Sequence, residues 1–282
     1  MGIRSMLSTR NKKAPMPADP PPAYSPAPAL GHAVSTNNTT TTTNTSAIVN
    51  GDNDPFAFLS TFDTVFLIDD SGSMAGSRWS AVAAALRAIT PICTARDPDG
   101  IDVYFLNHRS TQRAPDSSKA AGGYYDVSSP AVVDDIFRRV HPGGRTPTGC
   151  RLQNILKAYI DVLQRNMDAT RPMNIIVITD GSPTDDPEGV IVQNARRLDG
   201  MNAPGFQVGV QFFQIGNDPE AKEALMDLDD GLTQQGIRDM VDAVTWDETA
   251  RGNGLDLSPQ AILKVVLGAV VRRLDRRPAT RR

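Results

Sequence analysis

From Phe62 onward the chain alternates short apolar runs with longer amphipathic segments. The runs "TVFLI", "IDVYFL", "MNIIVIT" and "FQVGVQFFQI" are rich in β-branched and aromatic residues. Near-continuous runs of that length suit strands buried on both faces of a sheet. Between them, segment 77–92 places Trp79, Val82, Leu86 and Ile89 on one helical face. Segment 149–167 does the same with Leu152, Ile155, Leu156, Tyr159 and Leu163, and sets Arg151, Lys157 and Asp161 opposite. Further helices are predicted at 130–140, 187–198, 219–228 and 259–274, each opening with proline. Proline suits a first helical turn because its missing N–H needs no partner there. "GGYYDV" at 122–127 reads as a short edge strand and "MVDAV" at 240–244 as the last strand. Strands alternating with helices predict an α/β fold: three layers, doubly wound, with a mostly parallel central sheet covered by helices on both faces.

Residues 1–60 have a different texture. "APMPADPPPAYSPAPA" is proline-rich and "STNNTTTTTNTS" is a polar low-complexity tract. Neither buries enough apolar area to offset the entropy of ordering, so this segment reads as a disordered tail. The division expected is a tail at 1–60, one α/β domain at 61–275 and a basic end at 276–282. Arginines closing a last helical turn complement its dipole, which accounts for the basic end. Within the tail, "PPAY" fits the P-P-x-Y ligand of WW domains through Pro21, Pro22 and Tyr24. A pre-extended polyproline segment docks at little entropic cost.

Of the 282 residues, 40% are hydrophobic and 22% charged, an ordinary globular mix, and a net charge of −3 gives no field pointing to nucleic acid or membrane. The start of the chain has no continuous apolar core, so no secretory signal is read and the expected location is cytoplasmic. Stretch 261–271 is interrupted by Lys264 and is too short to span a bilayer. Cys93 and Cys150 lie far apart, make no ligand pattern and read as reduced thiols. Trp79 and Trp246 fall in predicted regular segments and read as packing residues.

The candidate chemistry sits where two buried strands end in acid. "FLIDDSGSMAG" follows the first and "IVITDGSPTDD" a later one, with the glycine turn "HPGGRTPTG" between them in sequence. In open α/β sheets ligands bind outside the carboxyl ends of the strands. Asp69, Ser71, Ser73, Thr146 and Asp180 offer only oxygen, with no histidine or cysteine among them. Hard cations such as magnesium or calcium take such ligands, whereas zinc and copper prefer nitrogen or sulfur. A Walker phosphate loop, a dinucleotide fingerprint and a nucleophile elbow are all missing from these loops. An aspartyl-phosphate enzyme needs a second carboxylate two residues after the nucleophile, where Ser71 stands. The plain alternative is that these Asp and Ser residues cap helices and make turns. Asp185 and Asp186 read as a solvated loop that could rim the site, and His141 as a solvated loop histidine.

Taken together, "DDSGS", "GGRTPTG" and "ITDG" resemble the three pieces of the metal-ion-dependent adhesion site of von Willebrand factor type A domains, a resemblance covering about residues 61–275. The resemblance implies that Asp69, Ser71, Ser73, Thr146 and Asp180 hold a divalent ion, Mg2+ or else Mn2+ or Ca2+. In the family the hydroxyls bind the ion directly, the aspartates act largely through water, and an acidic side chain of a partner completes the shell. The expected function is therefore a metal-dependent protein-binding module in an intracellular complex, not an enzyme. The runner-up is a metal-dependent hydrolase or phosphatase using Asp69 or Asp70, and a third reading is a scaffold whose metal is structural. Helix starts after Gly76 and Thr148 are expected to lend their dipoles to an incoming anion.

Overall fold

The computed structural model describes residues 60–246, apart from 96, 98, 217 and 235. The readings on Pro21, Pro22 and Tyr24, on the helix at 259–274, on the basic end and on the side chain of Trp246 lie outside the described residues.

Six strands form one sheet: β1 (Asp63–Ile68), β2 (Ile101–Phe105), β3 (Tyr124–Val127), β4 (Met173–Thr179), β5 (Val208–Ile215) and β6 (Val241–Trp246). Their order is β3-β2-β1-β4-β5-β6. All neighbours run parallel except β3, which pairs antiparallel with β2 at the edge. Among the described residues five α-helices lie between them: α1 (Ser77–Thr94), α2 (Pro130–Arg139), α3 (Thr148–Leu163), α4 (Pro187–Gly200) and α5 (Pro219–Gln234).

The apolar runs of β1, β4 and β5 feed both faces of the sheet, as strand alternation requires. Val65, Leu67, Ile175, Val177, Val210 and Phe212 pack with α3, α4 and α5. Phe66, Ile68, Ile176, Ile178, Phe213 and Ile215 pack with α1 and α2. The result is the three-layer α/β architecture expected from the alternation of elements. Trp79 packs on this second face, its ring 4.7 Å from that of Phe137 and 5.8 Å from that of Phe105. Cys93 is buried, Cys150 is exposed, and neither forms a disulfide among the described residues. Among the described residues no helix is long and apolar enough to cross a membrane.

One side chain departs from the helical pattern. The amphipathic pattern puts Arg151 on the polar face of α3, yet it is only 1% exposed. It donates to the carbonyls of Phe105, Ala121 and Gly122 at 2.9–3.1 Å, and its guanidinium lies 4.9 Å from the centre of the Tyr104 ring. Burial pushes its pKa down to about 10, which leaves it charged at neutral pH. Arg151 and Ile155 are four residues apart and so share a helical face; that spacing, weighed above its charge, would have placed it inward.

The starts of α3 and α4 meet closely. A Cβ on Gly149 would lie 2.7–2.9 Å from the backbone of Asp186 and Pro187, a distance that backbone cannot relieve by a rotamer change. Gly149→Ala is expected to cost about 2 kcal/mol through overpacking. That corresponds to a fall of about 4–8 °C in the midpoint of thermal unfolding for a domain of this size. Calorimetry or circular dichroism melts check it.

Candidate functional site

The sheet order changes direction between β1 and β4, because β1 is followed in space by β2 on one side and β4 on the other. Such a switch point opens a crevice at the carboxyl ends of the strands. Ile68 lies opposite Ile178 in the β1–β4 register, and the Asp69 N–H donates to the Ile178 carbonyl at 2.8 Å. Asp69 and Asp180 therefore emerge from neighbouring strands at the same end, and both are buried, at 0% and 2% exposure.

Each carboxylate is held from several sides. Asp69 Oδ1 accepts the Ser71 N–H at 2.8 Å and Oδ2 accepts the Thr179 hydroxyl at 2.7 Å. Burial raises the Asp69 carboxyl above the ordinary carboxylate value, those two donors pull it back down, and the neighbouring charge of Asp180 adds a smaller upward push. Asp180 Oδ1 accepts the Ser73 hydroxyl at 2.7 Å, and Ser73 Oγ lies 3.0 Å from Ser71 Oγ. Arg78, in the first turn of α1, forms an ion pair with Asp180 Oδ2. Gly76 just before α1 has φ +84°, a left-handed conformation that glycine adopts without strain, and there the chain turns from the serine loop into the helix.

The threonine loop is tied to this cluster through its backbone. The Gly143 N–H donates to the Asp70 carbonyl at 2.7 Å, and the Gly72 N–H to the Gly144 carbonyl at 3.4 Å. The Thr146 carbonyl accepts the N–H groups of Thr148 and Thr184, each at 2.9 Å, which joins this loop to the one following β4. Thus Asp69, Ser71, Ser73 and Asp180 are linked by hydrogen bonds into one cluster, and the loop carrying buried Thr146 is bonded to its flank.

The donor set fits a hard cation in kind: hydroxyl and carboxylate oxygens, two carboxylates withdrawn from solvent, and Ser73 on the exposed rim. Among the described residues no three or more His, Cys, Asp or Glu side chains are gathered to hold a metal, so hydroxyl oxygens would have to complete any shell here.

Neighbouring carboxylates serve the scaffold. Asp70 Oδ1 accepts the Asn107 N–H at 2.7 Å and its side-chain amide at 3.1 Å, while Oδ2 accepts the His108 N–H at 2.8 Å; this welds the end of β1 to the end of β2. Asp185 and Asp186 lie in the exposed loop expected of them, and each also caps a helix. Asp185 accepts the N–H groups of Gly149 and Cys150 at 2.9 and 2.7 Å, capping α3 from another segment. Asp186 accepts the Gly189 N–H at 2.8 Å and caps α4. Two of the amides at the start of α3 are thereby satisfied internally, so the dipole expected there for a visiting anion already faces a carboxylate. Asp followed by Pro at a helix start is a cap signature that could have revealed Asp186. The cap made by Asp185 crosses between segments and has no local signature. His141 is exposed, as expected.

A separate cleft of about 600 Å3 lies beside α3, lined by Arg109, Lys119, Arg151 and Lys157 among others. Its cations already have partners: Lys119 pairs with Asp102 and Asp126, Lys157 with Asp161, and Arg109 and Arg151 bond backbone carbonyls.

Residues 63–240 match the von Willebrand factor type A domain family. That is more than half of the chain, and the protein belongs to this family. The sequence finds no match among curated proteins. Solved structures similar to it include proximal thread matrix protein 1 from the mussel byssus, at 14% identity and a TM-score of 0.43, covering 74% of this chain and 48% of that one. The human COPII-coat protein Sec24c aligns at 13% identity and a TM-score of 0.39, over 66% of this chain and 30% of that one. Manganese-loaded TRAP protein of Plasmodium vivax aligns at 14% identity and a TM-score of 0.34, over 68% of this chain and 72% of that one. The chain spans about half the length of the first of these and less of the second.

Asp185→Ala removes two bonds at the start of α3 and is expected to destabilise the domain by about 0.5–2 kcal/mol, the range for a lost helix cap. Urea titration followed by far-UV circular dichroism measures it, and an unchanged midpoint would contradict the capping role.

Proposed function

We propose that this domain is a protein-interaction module that engages an acidic residue of its partner through a divalent cation held by Asp69, Ser71, Ser73, Thr146 and Asp180. The observation that carries the reading is the hydrogen-bonded cluster of Ser71, Ser73 and Asp180 oxygens across the ends of two adjacent strands, with the Thr146 loop fastened beside it. Hydroxyl and carboxylate donors favour Mg2+, with Mn2+ or Ca2+ in its place. When bound, such an ion supplies a concentrated positive charge for a carboxylate of the partner. The protein's own contribution is to hold two buried aspartates at fixed positions and to keep Ser73 on the solvent side, where a visiting group can approach.

The hydrolase reading gains no support from the two candidate nucleophiles. Both oxygens of Asp69 and both of Asp70 accept hydrogen bonds from the protein, and Ser71 stands where a second carboxylate would be needed. Binding without turnover is the expected behaviour.

Asp69→Ala is expected to abolish Mg2+ or Mn2+ binding in isothermal titration while far-UV circular dichroism stays that of a folded α/β domain. The variant should lose about 1–3 kcal/mol of stability, since the Ser71 N–H and the Thr179 hydroxyl lose their acceptor. Partners captured from lysate with magnesium should be lost both with EDTA and with this variant. Capture unaffected by both would refute the proposal. Hydrolysis of a generic phosphate ester above background, lost in Asp69→Ala or Asp70→Ala, would transfer the case to the hydrolase.

A further inference from the structure

Arg78 breaks a local rule. It lies in the first turn of α1, where the helix dipole disfavours a cation, and that turn has no acidic residue to offset it. Residues that violate local preference are held by something else in the fold. Here the holder is Asp180. The Arg78 guanidinium pairs with Asp180 Oδ2, and its Nη1 lies 3.4 Å from the Ser73 carbonyl. Its Nη2 reaches over the end of β5, 3.2 Å from where a Cβ on Gly216 would sit; Gly216 has φ +87°. The Asp180 side chain is 0% exposed and that of Arg78 is 33% exposed. Among the described residues, Arg78 is the ion-pair partner of Asp180.

A carboxylate withdrawn from water is costly unless a counter-charge accompanies it. We propose that Arg78 is the resident counter-ion of Asp180 and that it opposes divalent-cation binding, so that this one side chain sets the metal affinity of the site. The inference rests on the metal-binding reading above. Asp69, Asp180 and Arg78 together carry one net negative charge, against two without the arginine. A divalent cation is drawn less strongly to the smaller charge. With Arg78 retained, the loaded site is formally positive by one, and a single carboxylate from a partner brings it to neutrality. The two aspartates and the metal alone would already be neutral before a partner arrived. Arg78 therefore trades metal affinity for attraction of an acidic group. Its guanidinium, partly open to solvent on a long stem, can also leave Asp180 without disturbing the backbone.

The test is Mn2+ titration of the full chain, by calorimetry and by paramagnetic resonance of free Mn2+, for the wild type, Arg78→Met and Arg78→Lys. Arg78→Met keeps the apolar stem and removes the charge; its Mn2+ affinity is expected to rise on the order of tenfold. Arg78→Lys keeps the charge and should stay near the wild type. In chelator, Arg78→Met should melt at a lower temperature than the wild type, and saturating Mn2+ should remove that difference. Equal or weaker Mn2+ binding by Arg78→Met, beside measurable binding by the wild type, overturns the role of Arg78 and leaves the metal site standing. Absence of binding by all three proteins overturns the metal reading and this inference with it.

Discussion

The register of β1 against β4 is the constraint on which the site depends. With Ile68 opposite Ile178, Asp69 comes level with Thr179, whose hydroxyl it accepts, and Asp180 follows one residue later at the same end of the sheet. Two like charges so placed and so buried repel one another and lose their hydration. The surrounding loops are arranged to answer that cost. Hydroxyls of Ser73 and Thr179 and the Ser71 amide all donate to these carboxylates, and Arg78 supplies a full positive charge. The same register that buries apolar side chains on two faces thus concentrates negative potential at one end of the sheet.

A second theme is the use of acid as mortar. Asp70 fastens β1 to β2, Asp185 fastens the loop after β4 to α3, and Asp186 starts α4. The sequence near the site is acidic, yet only Asp69 and Asp180 join the hydroxyl cluster. Backbone amides take up the rest, which keeps the local negative charge from spreading.

Much of this was legible in the sequence because it rests on periodicity and on short-range chemistry. The continuous runs in β1, β4 and β5 could only be strands covered twice, and the prolines at Pro130, Pro187 and Pro219 marked true helix starts. Asp69, Ser71 and Ser73 were visible as a spacing, and Asp180 as an acid ending a buried run. What escaped were side chains whose partners are distant in the chain. Arg151 reads as a polar-face residue until the carbonyls of Phe105, Ala121 and Gly122 are seen closing on it. Asp185 reads as a loop acid until α3 is placed beside it, and nothing local singles out Arg78 until β4 brings Asp180 within its reach. Linear spacing carries nothing about these pairs, since each is set by how two strands or two helices are laid together.

The loop after β4 has an architectural consequence for access. Thr184 is pinned to the Thr146 carbonyl, and the next two residues are each spent on a helix start, so this bank of the crevice is anchored along its length. Arg78, by contrast, reaches Asp180 only through its long side chain, rooted in the first turn of α1. The site is thus flanked by a loop held at three consecutive residues and by a cation whose position rests on the rotamers of one long stem.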